Sequence, residues 1–397
     1  MAAASVDLHV EFHLPTMLSE WALAPTFRVT VTMNNFIPVV VKVHHVPTPV
    51  PNWRKRSADG KFTASISRQT LRTSKQDDEE LGSVGIRSAD PSADAASGDL
   101  IARIRAGLIA GKAPEPIEDG EGGTYKLFGA DGNIVAIFKP ADEEPHSDAN
   151  PKKHDDSPKR DGILPGECAR REVAAYKLDH GLAGVPCTAL VQLRHPRWGS
   201  ALKVGSVQLW KADAESGADV GSSEFSVSEV QRMGALDVRL LNTDRHEGNL
   251  LVTRDEQGRA SLTPIDHGFA LPGSLSEAYF AWQHWAQAKK PFAPDVLAAI
   301  AAIDSTADAE VMRQMGFSDL EIRNMRASTL LLQRAAASGW TLHEIANFVT
   351  RPSLDKVSRL ELLVADAKAL AVSRGNFWEH YSRLVDEAVT RTAAPSA

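Results

Sequence analysis

Past about residue 210 the hydrophobic pattern of the chain turns from mainly strand-like to mainly helical, and that shift constrains the fold more than any other feature. Between Tyr125 and Trp210 the apolar residues come in short blocks: Tyr125 to Phe128, Ile134-Val-Ala-Ile-Phe138, Ala189 to Leu193 and Val204 to Trp210. The Ala130-Asp-Gly-Asn133 turn separates the first two, and blocks of this length between turn residues read as strands. From Val227 to Asn242 the spacing becomes helical, through Val230, Met233, Leu236, Val238, Leu240 and Leu241. Ser318-Asp-Leu-Glu321 and Thr341-Leu-His-Glu344 fit the capping box, in which a hydroxyl and a carboxylate satisfy orphan N–H groups at a helix start. The expected class is α+β, a smaller β-rich part followed by a larger helical one. Two helices belong to the first part, one at Leu100 to Ile109 and one at Arg170 to Leu178.

Composition places the boundaries. Residues 1–50 form a short β-rich segment, with Phe27, Val29, Val31 and Met33 alternating before an Asn34-Asn35 turn and an apolar run from Ile37 to Val43. Residues 51–97 are rich in Ser, Arg, Lys, Asp and Glu, too poor in large apolar groups to offset their ordering entropy, and read as a disordered linker. Order is expected over 98–397, with lobes at about 98–210 and 211–397. Inside the first lobe, Ala141 to Asp161 is a charged, Pro-bearing insert without periodicity, expected to be mobile.

With 44 Lys and Arg against 51 Asp and Glu, the formal charge is −7, which argues against nucleic acid as a partner. Two cysteines, Cys168 and Cys187, build no disulfide framework, and a reducing compartment follows. Met1 to Val10 lacks the basic and apolar regions of a secretory signal. The apolar stretch Val296 to Ile303 is far short of the ~20 residues that cross a bilayer. A cytoplasmic protein is expected, its membrane contact at most peripheral.

Four features that are commonplace singly occur in a telling order. They are the glycine run Gly120 to Gly123, Lys139 at a strand end, Glu172 on a helix, and Asp244-Arg-His-Glu-Gly-Asn249 followed by Ile265-Asp266-His-Gly268. Phosphoryl transfer from ATP needs backbone N–H groups over the phosphates, a lysine to hold them and a carboxylate to fix that lysine. It also needs a carboxylate for the incoming hydroxyl and oxygen ligands for Mg²⁺. Asp244 and Asn249 are five residues apart, the separation of base and metal-binding Asn in protein-kinase catalytic loops. Two strands, Leu250 to Val252 and Leu262 to Ile265, would fold back to bring Asp266 beside Asn249.

On these residues the chain resembles the phosphatidylinositol 3-/4-kinase superfamily, and within it the plant-type phosphatidylinositol 4-kinase gamma group. The matching stretches are Gly122-Gly-Thr-Tyr125, Ala136-Ile-Phe-Lys-Pro140, Asp142-Glu-Glu-Pro145, Arg171-Glu-Val-Ala-Ala-Tyr176, Ala183-Gly-Val-Pro186, Val204-Gly-Ser206, Asp244 to Asn249, Pro264 to Gly268, and Trp285-Ala-Gln-Ala288 through Phe292. The resemblance implies a two-lobed kinase-like α+β fold that uses ATP and Mg²⁺, with Mn²⁺ as an alternative. It implies that Gly122, Gly123, Thr124 and Lys139 contact the nucleotide phosphates and that Glu172 pairs with Lys139. Gln208, Leu209 and Trp210 would line the adenine slot, backbone groups reading the base edge. Asp244 would orient or deprotonate the acceptor, His246 would steady the transferring phosphoryl group, and Asn249 with Asp266 would hold the metal. Members of that group often carry ubiquitin-like repeats before the kinase domain; residues 1–50 are too short for one.

The acceptor is open at this point. His267 to Ala288 contains no Lys or Arg, which disfavours polyphosphorylated inositides and fits phosphatidylinositol or a protein hydroxyl equally. The same segment holds Phe269, Tyr279, Phe280, Trp282 and Trp285, suited to a membrane interface or to a core, and Lys289-Lys290 follow. The readings are a phosphatidylinositol 4-kinase, a Ser/Thr protein kinase on the same scaffold, and a nucleotide-binding scaffold without activity, which the full set of catalytic residues disfavours.

Overall fold

The computed structural model describes residues 27–32, 40–45, 81–153, 159–199 and 201–392, with backbone alone for the first two segments and for 391 and 392. The chain divides into two units, residues 1–72 and 73–397. In the first, β1 (Phe27–Thr32) pairs antiparallel with β2 (Val40–His45), Val29 opposite Val43. The expected strands are there; the Asn34-Asn35 turn lies outside the described residues.

The second unit has a β-rich lobe and a helical lobe. β3 (Gly85–Ser88), β4 (Glu115–Pro116), β5 (Tyr125–Phe128), β6 (Ile134–Pro140), β7 (Thr188–Arg194) and β8 (Leu202–Leu209) form one antiparallel sheet in the order β3-β7-β8-β6-β5-β4. Alternation works as it should on a half-covered sheet: Tyr125 and Leu127 are buried while Lys126 and Phe128 are less so. Helix α1 (Ala95–Ile109), capped by Asp94, packs Leu100, Ile101, Ile104 and Leu108 against Tyr125, Leu127, Val135 and Phe138. Helix α2 (Cys168–Asp179) lies against β7 and β8 and shares a second core with the helical lobe, where Ala174, Ala175 and Leu178 meet Leu236, Leu240 and Met325.

One boundary moves. Residues 81–97, placed in the linker by their polar composition, belong to the β-rich lobe: β3 pairs with β7, and Ile86 is buried between them and α1. An edge strand needs few apolar side chains, so composition alone hid it. The remainder of that stretch, 51–80, lies outside the described residues.

The helical lobe begins with β9 (Glu215–Ser216) and α3 (Val227–Leu240), followed by a hairpin of β10 (Leu250–Arg254) and β11 (Ala260–Pro264). Then come α4 (Pro294–Ala301), α5 (Ser305–Gln314), α6 (Asp319–Ala337), α7 (Leu342–Val349), α8 (Arg359–Arg374) and α9 (Phe377–Thr392). Both expected capping boxes start helices, Ser318 with Glu321 at α6 and Thr341 with Glu344 at α7. Their core gathers Val230, Met233, Trp282, Leu331, Leu342, Phe348 and Tyr381. No described helix is long and apolar enough to cross a membrane.

Candidate active site

Lys139 is the second-last residue of β6, where alternation buries Phe138 in the lobe's core and turns Lys139 to the other face. Its ammonium lies 2.6 Å from Glu172 Oε1 on α2 and 2.9 Å from Asp266 Oδ1. Burial alone would lower the lysine's pKa; the two carboxylates overcome it and hold the ammonium above its ordinary value. The Glu172 side chain is 3% exposed and also accepts the His267 backbone N–H at 2.9 Å. Burial pushes its carboxyl up, Lys139 pulls it back and Asp266 pushes it up again. Asp266 is 46% exposed, and Lys139 holds it below the usual carboxylate range against the opposing push of desolvation. Its backbone sits in the left-handed region at φ 56°, a strained conformation for a residue with a Cβ.

The second loop is positioned from beneath. Helix α3 ends at Leu241 with φ 50°, reversing the chain into Asn242-Thr-Asp244. Arg245, fully buried, binds Asp237 at 3.0 Å, His267 Nε2 at 3.0 Å, the Ile265 carbonyl at 2.8 Å and the Asn249 carbonyl. Trp282 Nε1 completes the Asp237 carboxylate at 2.9 Å. Arg245 therefore staples the two chemical loops together from the protein side. Asn249 Nδ2 donates to the Asp244 carbonyl at 2.9 Å, which leaves the amide oxygen for a cation. The Ile265 N–H donates to the Asn249 carbonyl at 3.1 Å, so the hairpin sets Asp266 next to Asn249 as the spacing suggested. His246 is exposed and its Nδ1 accepts the Gly248 N–H at 3.0 Å, which puts the proton of the neutral ring on Nε2.

The acidity of Asp244 is set by several neighbours. Burial raises its carboxyl, Arg160 and His246 lower it, and Asp266 and Glu121 raise it again, for a net upward shift. A carboxyl with that bias is a better proton acceptor than one at its ordinary value. Glu121 belongs to the glycine loop, so that loop's negative charge adds to the upward push on Asp244.

The glycine loop has a second job. Thr124, just before β5, donates its hydroxyl to the Gly122 carbonyl at 3.4 Å. The Gly123 N–H, however, donates to the Glu143 carbonyl at 2.8 Å, and a Cβ on Gly123 would lie 2.7 Å from Glu143 Cβ. Gly123 is thus required by the close approach of the insert, and its N–H is already spent. Glu143 is held in turn by Tyr125 Oη and by Lys203 Nζ, each at 2.6 Å. The described part of the insert is tied down, against the mobility expected of it. Asn150 Nδ2 donates to the Glu121 carbonyl at 2.9 Å, Lys152 Nζ bonds the Asp119 and Gly120 carbonyls, and Glu144 accepts three N–H groups at the start of α2.

At the expected adenine slot the structure narrows what Gln208, Leu209 and Trp210 can offer a base. The N–H groups of Leu209 and Trp210 donate to the Cys187 and Val135 carbonyls, at 2.8 and 3.0 Å, and cannot serve a base without leaving the sheet. Gln208 spends its side-chain amide on Thr188 Oγ1 at 3.0 Å. Ladder pairing across β6, β7 and β8 accounts for both. Of the aromatic residues after Asp266, Phe280 and Trp282 are core, whereas Tyr279 is exposed.

Arg160, in the insert, went unnoticed in the sequence: its Nη2 lies 2.6 Å from Asp244 Oδ1. The one available signal was indirect, the lack of any cation from His267 to Ala288. Among the described residues no cluster of three or more His, Cys, Asp or Glu offers a metal cage. Asn249 Oδ1 and the Asp266 carboxylate suit Mg²⁺, which takes few protein ligands and keeps water and phosphate oxygens for the rest.

Residues 122–345 match the family model described as phosphatidylinositol 3- and 4-kinase. The chain is 36% identical over 315 residues to phosphatidylinositol 4-kinase gamma 4 of Arabidopsis thaliana, covering 72% of this chain and 56% of that one. To phosphatidylinositol 4-kinase gamma 8 of the same plant it is 39% identical over 311 residues, covering 71% and 58%. The chain spans about half the length of the curated relatives it matches. Among solved structures, a Helicobacter pylori proinflammatory kinase aligns with a TM-score of 0.34 and 12% identity over 58% of this chain and 94% of that one, too weak a likeness to argue from.

Proposed function

The chain belongs to the phosphatidylinositol 3- and 4-kinase family, and from that membership we propose that it transfers the γ-phosphoryl group of ATP to the 4-hydroxyl of the inositol ring of phosphatidylinositol. The ring position comes from the names of the relatives. The observation that carries the reading is Lys139 bridging Glu172 and Asp266, a lysine fixed between a helix and a metal motif. Lys139 holds the nucleotide phosphates, which Thr124 of the glycine loop also contacts. The acceptor hydroxyl gives its proton to Asp244 as its oxygen bonds to the γ-phosphorus and the bond to the ADP oxygen breaks. His246 Nε2–H donates to the moving phosphoryl oxygens. Asn249 and Asp266 would hold Mg²⁺, which would neutralise charge on the phosphate oxygens.

The test is incubation of the full chain with γ-labelled ATP, Mg²⁺ and phosphatidylinositol vesicles, with a generic protein substrate in parallel. Labelled lipid whose ring phosphate maps to the 4-position is expected. Label in protein alone would replace this reading with that of a protein kinase.

A further inference from the structure

We propose that Arg160 is an acceptor-binding residue: its guanidinium, resting on Asp244, takes the phosphodiester of the headgroup whose hydroxyl Asp244 receives. The inference rests on the phosphatidylinositol reading above. Arg160 Nη2 is 2.6 Å from Asp244 Oδ1, and the guanidinium lies 5.5 Å from the centre of the Phe269 ring. Its Nε is buried and has no hydrogen-bond partner among the described residues. The residues that follow are fastened to the segment beyond Asp266. The Asp161 N–H donates to Glu277 at 2.8 Å, Ser276 Oγ donates to Asp161 at 3.1 Å, and the Gly273 N–H donates to the Gly162 carbonyl at 3.0 Å. Gly162 has φ +77°, and a Cβ there would sit 2.7 Å from the Gly273 nitrogen. The segment that borders the acceptor side therefore sets where Arg160 stands.

Charge argues for what it binds. Asp244 feels the negative charge of Asp266 and Glu121, and His267 to Ala288 supplies no cation. An anionic headgroup entering among these carboxylates needs a positive partner, and the insert places one on Asp244 itself. An incoming hydroxyl must share Asp244 with Arg160. A neutral acceptor weakens that ion pair and returns nothing to the guanidinium. A phosphodiester restores a charge-assisted, two-oxygen contact of the kind arginine favours. Selectivity follows from this difference, since neutral hydroxyl compounds bear the cost without the compensation.

The test is steady-state kinetics of the full chain, wild type, Arg160→Gln and Arg160→Lys, with phosphatidylinositol vesicles as acceptor. Glycerophosphoinositol, which is anionic, and free inositol, which is neutral, serve as competing probes. Arg160→Gln should raise the KM for lipid roughly tenfold or more, the loss of one charged hydrogen bond, with the KM for ATP close to wild type. Glycerophosphoinositol should compete far better than inositol against wild type, equally poorly against Arg160→Gln, and at an intermediate level against Arg160→Lys. Wild type that labels lipid, with an Arg160→Gln KM for lipid unchanged, overturns the assignment of Arg160 alone. Wild type that labels no lipid overturns the phosphatidylinositol reading and this acceptor together.

Discussion

Glu172 Oε2 accepts the backbone N–H of His267 at 2.9 Å, so the helix that fixes Lys139 is bonded directly to the residue after Asp266. One carboxylate reports to both halves of the site: Oε1 takes the lysine at 2.6 Å and Oε2 takes the metal motif. Displacement of α2 would undo the lysine contact and the position of Asp266 in the same movement.

Lys139→Met should therefore cost more than a phosphate contact. It leaves Glu172, nearly fully buried, without its cation, and removing one partner of a buried pair typically destabilises by about 3–5 kcal/mol; the lysine is itself 30% exposed, which puts the expectation at or below the lower end. Thermal unfolding should show a lowered Tm, and kcat/KM for ATP should fall by roughly 10²–10³-fold. A variant with wild-type Tm and kinetics would mean that the pair holds neither the fold nor the nucleotide.

Glu144 predicts a slope in stability with pH. Burial lifts its carboxyl from its ordinary 4.5 to about 7, against the downward pull of the N–H groups of Ala169, Cys168 and Gly166. Between those two values the folded protein keeps a proton that the unfolded chain has released. Stability is therefore highest below the unfolded value and falls as pH rises through the folded one. Urea denaturation at about pH 5 and about pH 7.5 should show wild type losing roughly 1–3 kcal/mol more than Glu144→Gln over that span. Equal losses would assign the slope to other groups.

Truncation tests the corrected boundary. A chain beginning at residue 73 keeps β3 and should unfold cooperatively. One beginning at residue 98 loses Ile86, the ladder to β7 and the Asp94 cap of α1. Burial of one isoleucine is worth about 1.5–3 kcal/mol and a helix cap about 1, so the shorter chain should melt several degrees lower. Equal melting temperatures would show β3 to be dispensable.

The candidate site residues were legible in the sequence because each comes with its local structure. Lys139 ends an alternating strand, Asp244 and Asn249 share one short loop, and Asp266 follows a hairpin whose strands are apolar enough to recognise. Contacts made by unpatterned segments were not legible. Arg160 meets Asp244 across 84 residues from an insert with no period, and Gly123 is pressed by Glu143 rather than left open for phosphate. The spent N–H groups of Leu209 and Trp210 depend on which strands lie side by side, which hydrophobic spacing within one strand does not specify.

A comparison of wild type with Asp244→Asn decides whether Asp244 receives the acceptor proton in a phosphoryl transfer to phosphatidylinositol. ATP affinity and label transfer to phosphatidylinositol vesicles would be measured on the same preparations. ATP binding should stay close to wild type and transfer should fall by about 10²–10⁴-fold, the usual contribution of a general base. Transfer by Asp244→Asn at the wild-type rate would contradict that role.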